Sequence, residues 1–114
     1  VGPAIEFYDV ALADVLIVCD DFNLPLAKLR FRSQGSAGGQ KGLDDIIRRL
    51  GTQEIPRLRI GIGPVPPAWD AAEYVLGKFN RSEQKVIQEA IAVAAEAVEC
   101  WVAEGIEAGM SRYN

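Results

Sequence analysis

The stretch "AKLRFRSQGSAGGQKGLDDIIRRLG", residues 27–51, changes its period twice. In its first six residues apolar and basic side chains alternate: Ala27, Leu29 and Phe31 against Lys28, Arg30 and Arg32. A period of two separates the sets onto opposite faces of an extended chain, which predicts a strand with a wet basic face. Four glycines follow, at 35, 38, 39 and 42, with the lone cation Lys41 among them. From about Leu43 to Leu50 the pattern becomes helical. Asp44 and Asp45 in its first turn and Arg48 and Arg49 in its last complement the helix dipole, and Gly51 supplies the stop. Strand, glycine loop and helix in succession predict an α/β fold.

The flanks extend that reading. "PRLRIGIG" (56–63) alternates again, with Leu58, Ile60 and Ile62 against Arg57, Arg59 and Gly61, and predicts a second strand with arginines on one face. Upstream, Val15 to Cys19 of "DVLIVCDD" predicts a strand buried on both faces and ending in two acids. "NLPL" (23–26) reads as a turn, and residues 2–10 as a short helical segment around Ile5, Phe7 and Tyr8. Downstream, "PVPP" (64–67) is a stiff connector, and "WDAAEYVLGKF" (69–79) a short helix with Trp69 and Tyr74 in the core. Asn80 and Glu83 make a capping box. It opens a long amphipathic helix with Ile87, Ile91, Ala94, Val98 and Trp101 or Val102 on its apolar stripe, and a tail beyond Gly105 that is expected to fray. The whole, 1–114, reads as a single domain: a mixed central sheet flanked by helices, with the long amphipathic helix last.

Charge and composition narrow the chemistry. The net charge is −4, yet residues 27–59 hold eight cations against three acids. Phosphate binding follows the local field, so this basic middle points toward a polyanion while the acidic remainder argues weakly against one. There is no histidine. Acid–base work within these residues falls to carboxylate, lysine or tyrosine, and a histidine-based zinc site or serine triad is excluded. The two cysteines, Cys19 and Cys100, lack metal-site spacing and read as reduced core residues. No apolar run approaches a membrane span and no leader pattern opens the chain, so the expected setting is cytoplasmic, or organellar in a eukaryote.

Three stretches are candidates for a site. The glycine loop fails the Walker pattern, since Gln40 precedes Lys41 and Gly42 follows it, and "GIGPVP" places proline at the third glycine of GxGxxG. It is either a plain strand-to-helix connection or a place where a substrate backbone approaches a helix N-terminus beside Lys41. The arginine faces are either simply solvated or a phosphate-binding surface. The acids of "CDD" stand where ligands gather in open α/β sheets, beyond the carboxyl end of a strand. Asp20 is thus a candidate orienter or base, with a turn or helix cap as the alternative, and is expected to be drier than Asp21.

Taken in order, "VCDDFNLPLAKLRFRSQGSAGGQKGLDDIIRRLGT", "RLRIGIGP" and "YVLGKFNRSEQ" resemble the bacterial-type peptidyl-tRNA hydrolase family over about residues 2–95. The resemblance implies a partial peptidyl-tRNA hydrolase-like fold and cleavage, without metal or other cofactor, of the ester between a peptide and the terminal ribose of tRNA. It puts Asp20 where the family carries the carboxylate that orients a catalytic histidine. Gln40 falls on a family histidine, Lys41 on an asparagine that meets substrate, and Arg32 and Arg59 on positions that grip tRNA phosphate. Residues 64–79 match a lid-like segment. The family's opening segment, with the base histidine, has no counterpart in these 114 residues. The resemblance therefore implies the C-terminal two-thirds of a hydrolase, inactive alone, able to self-associate, and monomeric and membrane-free when whole, with peptidyl-tRNA as partner. The alternative is a non-enzymatic RNA-binding, intron-splicing relative of the same fold.

Overall fold

A computed structural model describes residues 2–63 and 81–114. Along the chain come α1 (Gly2–Tyr8), a 3₁₀ turn (Leu12–Asp14), β1 (Ile17–Pro25), β2 (Leu29–Arg32), α2 (Lys41–Leu50), β3 (Arg57–Gly63), α3 (Arg81–Glu104) and α4 (Ile106–Tyr113). The strands form one mixed sheet in the order β1-β3-β2, with β3 parallel to β1 and antiparallel to β2. The α/β expectation holds. The connector 64–67, the helix 69–79 with Trp69 and Tyr74, and the Asn80 cap lie outside the described residues.

Alternation holds in β2, which begins at Leu29 rather than Ala27 and turns Leu29 and Phe31 inward, whereas in β3 Arg57 is buried along with Leu58. Leu29, Phe31 and Leu58 are buried against Ala94 and Ala97 of α3, and Leu16, Ile60, Trp101 and Met110 close round them. Phe31 and Leu58 have no solvent exposure, and burying each side chain contributes about 1.5–3 kcal/mol. The buried stripe of α3 overlaps the predicted one only in part: Ala94 is buried and Val98 and Trp101 pack against the core as expected. It runs through Ala90, Ala94, Ala97 and Cys100, while Ile91 is 55% exposed and Val102 72% exposed. Phe31 and Leu58 supply the bulk of the core, and the helix meets them with its alanines.

The tail does not fray. Gly109 of α4 leaves space for the Phe31 ring, which meets Tyr113 edge-on at 6.3 Å between centroids. The Asn114 side chain accepts from Phe31 N (2.6 Å) and donates to Phe31 O (3.0 Å). It thereby satisfies both backbone groups of Phe31 on the outer edge of β2. An ion pair between Arg112 and Glu104 spans the joint of the two helices.

β1 departs further from expectation. It continues through the segment read as a turn, and Val18, 50% exposed, shows that it is not buried on both faces. Its register with β3 shifts between Asp21 and Pro25, so that four steps of β1 face two steps of β3, from Gly61 to Gly63. The excess chain folds onto β3, where a Cβ at Gly61 would strike the Pro25 carbonyl and one at Gly63 that of Phe22. The glycines of "RIGIG" are therefore a consequence of the bulge above them.

Helix α2 begins at Lys41, two residues earlier than predicted, because Gln40 caps it. It ends as expected at Gly51, left-handed at φ 71°. Exposed Asp44–Arg48 and Asp45–Arg49 pairs at 3.1 and 3.0 Å add about 0.3–0.5 kcal/mol each.

Gly61→Ala is expected to destabilise the chain by about 1–3 kcal/mol through overpacking. Urea denaturation checks it.

Candidate functional site

The cross-strand register brings the arginines together: Arg30 faces Arg59 and Arg32 faces Arg57. Their environments then diverge. Arg57 is fully buried, correcting the expectation of a wet face on this strand. Its Nε donates to Ile55 O (3.0 Å), Nη1 to Gly35 O (2.7 Å) and Ser36 O (2.8 Å), and Nη2 to Gln53 O (2.8 Å). Burial, with neighbouring Arg59 adding to it, lowers its pKa from the ordinary arginine value. Arg57 is a brace, tying the start of the glycine loop to the entry of β3.

Arg59 is held from two sides. Nη1 pairs with Asp21 Oδ2 at 3.1 Å, with the side chains only 13% and 8% exposed, and Nη2 donates to Ser36 O at 2.9 Å. Its buried Nε has no partner among the described residues. Arg30 is half-buried and Arg32 exposed. With Asp21, Asn23 and the loop carbonyls these arginines line an open cleft of about 450 Å³. A larger cleft of about 740 Å³, between the 3₁₀ turn and the α3–α4 joint, has no basic side chain in its lining. The smaller cleft is the one suited to a polyanion.

The acids of "CDD" come out reversed from the expectation. Asp21 is the dry one, 7% exposed, and Asp20 is half-buried. Asp21 sits where the bulge begins, and it closes that bend by accepting from Asn23 N at 2.8 Å while its other oxygen takes Arg59. Asp20, opposite Ile60 in register, turns toward the far end of the glycine loop. There Gln40 Nε2 donates to Asp20 Oδ1 (3.1 Å), and Gln40 Oε1 accepts from Leu43 N (2.7 Å). The structure therefore brings Gln40 to Asp20, and leaves Lys41 exposed on the first residue of α2.

The loop itself runs alongside residues 20–23. Asn23 Nδ2 donates to Gly38 O at 3.1 Å. Gly38, at φ 61°, lies against the Arg59 guanidinium where a Cβ would collide. One loop thus touches the arginine cluster at Ser36 and the carboxylate at Gln40. Asp21, Asn23 and the buried role of Arg57 were not legible as site features in the sequence. No sequence signal separates a bracing arginine from a free one when both alternate with apolar residues.

Cys19 stands opposite Arg59 in register. Burial pushes its thiol pKa up, against the pull of Arg59. Both cysteines are free, as expected. Among the described residues no group of three His, Cys, Asp or Glu side chains could hold a metal, and no helix is long and apolar enough to cross a membrane.

Comparison with known proteins converges on one family. The family model described as "Peptidyl-tRNA hydrolase" matches residues 1–114. The chain is 48% identical to the peptidyl-tRNA hydrolase of Rhodopirellula baltica over 114 residues, covering 100% of this chain and 60% of that protein. It is 52% identical to that of Chloroflexus aggregans over 101 residues, covering 89% and 54%. The crystal structure of peptidyl-tRNA hydrolase from Acinetobacter baumannii superposes with a TM-score of 0.89 at 32% identity, covering 100% of this chain and 58% of that one. The chain therefore spans about 60% of the length of the curated relatives it matches.

Two outcomes test the site's construction. Arg57→Met leaves four carbonyl contacts unmade and is expected to cost about 3 kcal/mol in denaturant unfolding. The raised thiol pKa of Cys19 favours the neutral form in the fold. Its contribution is therefore complete below the ordinary thiol value of about 9.0 and is lost as pH rises above it. Thermal melts from neutral to alkaline pH should show a decline that is shallower in Cys19→Ala.

Proposed function

The chain belongs to the peptidyl-tRNA hydrolase family, and we propose that it forms the carboxylate-bearing, tRNA-gripping part of an enzyme that cleaves the ester between a peptide and the terminal ribose of tRNA. The observation that carries this reading is the single glycine loop that holds Asp20 through Gln40 at one end and the arginine cleft through Ser36 at the other.

Ester hydrolysis at neutral pH needs an activated water and stabilisation of the oxyanion. These residues hold no histidine, and the chain spans about 60% of its relatives' length. The base is read as a histidine supplied from outside these 114 residues. Asp20 has one oxygen engaged by Gln40, and its other oxygen accepts the imidazole N–H, fixing the tautomer that can take a proton from water. Gln40 and Lys41 lie at the start of α2, where backbone N–H groups and the Lys41 ammonium favour developing negative charge. Arg32, exposed on the cleft rim, and Arg59, pre-set by Asp21, receive tRNA phosphate. The partner is peptidyl-tRNA, and the setting is the compartment of translation.

In the full-length protein, Asp20→Ala should lower peptidyl-tRNA turnover by on the order of 100-fold or more while tRNA binding persists; undiminished turnover would remove Asp20 from the mechanism. Arg32→Ala should reduce the salt slope of tRNA binding by about 0.7–0.9 and leave single-turnover cleavage at saturation little changed. Steep salt-dependent RNA binding without any turnover would instead favour the non-enzymatic splicing relative.

A further inference from the structure

We infer that Gln40 is a positioning residue, a strut that fixes the Asp20 carboxylate to the N-terminus of α2 in a single orientation. The inference rests on the hydrolase reading and deepens it. A carboxamide has one accepting arm and one donating arm. The Leu43 N–H can only donate, so the arm 2.7 Å from it must be Oε1. The other arm is then the NH₂, and it meets Asp20 Oδ1 at 3.1 Å, an ionised carboxylate that can only accept. A flipped amide would set donor against donor at one end and acceptor against acceptor at the other. The two contacts therefore select one state.

Space for this arrangement is built into the loop. A Cβ at Gly42 would stand 3.1 Å from Gln40 Oε1, so glycine there leaves the carboxamide its seat against the helix. The consequence for Asp20 is a division between its two oxygens. Oδ1 is committed to Gln40, and Oδ2 is left in a defined direction as the acceptor for the base. A carboxylate free to rotate would offer either oxygen over a wide range of angles and would hold an imidazole correctly only part of the time. Neutral imidazole offers the same pattern of one acceptor and one donor on opposed arms; a carboxylate offers two acceptors, and asparagine is one methylene short.

The test uses full-length protein and three variants. Gln40→Glu still accepts from Leu43 N, and its charge suits a helix N-terminus, but it cannot donate to Asp20. Gln40→Asn is a good helix cap that cannot reach Asp20. Gln40→Asn should melt close to the parent and Gln40→Glu somewhat below it, because two carboxylates then face each other; both should lose kcat by on the order of 10-fold with KM little changed. In Gln40→Glu the acid limb of the kcat/KM profile should also move to higher pH, because a negative charge is added beside the base. Gln40→His should keep kcat near the parent value. Parent-like kcat in both Gln40→Glu and Gln40→Asn, or Gln40→His falling as far as they do, would overturn the inference and leave the hydrolase reading standing. A parent protein with no peptidyl-tRNA turnover would overturn both.

Discussion

Arg57 takes a full positive charge into the interior with no acidic partner among the described residues, and main-chain carbonyls solvate it instead. Gly35, Ser36, Gln53 and Ile55 each turn an oxygen inward to the guanidinium. A planar fork of five donors can hold carbonyls from two separate segments at once, which a lysine ammonium at the end of a flexible stem does less well. The loop start and the entry to β3 are thereby locked together. Ser36 O is shared between Arg57 and Arg59, so the bracing arginine also sets the position of the one that reaches the cleft.

The consecutive acids Asp20 and Asp21 are separated in role by the irregularity of β1. Where the register slips, Asp21 folds inward and supplies the counter-charge for Arg59, while Asp20 stays on the regular strand and reaches the cap of α2. In the proposed reading Asp21 places a carboxylate beside a guanidinium that receives phosphate. A buried arginine without a counter-charge would be costly to keep in place, and Asp21 is set back, 7% exposed, behind the surface a polyanion would touch. In the proposed reading, steering of the polyanion falls to the outer cations, Arg32 above all.

Much of the fold was legible because β2, β3 and α2 obey short-range rules: alternation for the strands, acids first and bases last for the helix, and Gly51 at its end. The candidate residues were legible by resemblance more than by pattern. What was hidden depended on packing across the sheet. The stripe on α3 was only partly legible because hydropathy weights Ile91 and Val102 above alanine, whereas Phe31 and Leu58 are met by Ala94 and Ala97 with Val98 and Trp101 beside them. The order of α4 was invisible for a similar reason: its anchors, Phe31 and the Asn114 carboxamide, lie more than eighty positions apart. Gly61 and Gly63, in a stretch that fails the dinucleotide-loop pattern, prove to be clearance for β1.

The carboxamide of Asn114 also decides how this sheet can meet other chains. A strand whose outward N–H and C=O are unpaired is a template on which a foreign strand can dock and propagate. Here one side chain occupies both groups of Phe31 at the middle of the outermost four-residue strand. At that point the β2 flank is blunted against pairing with a foreign strand.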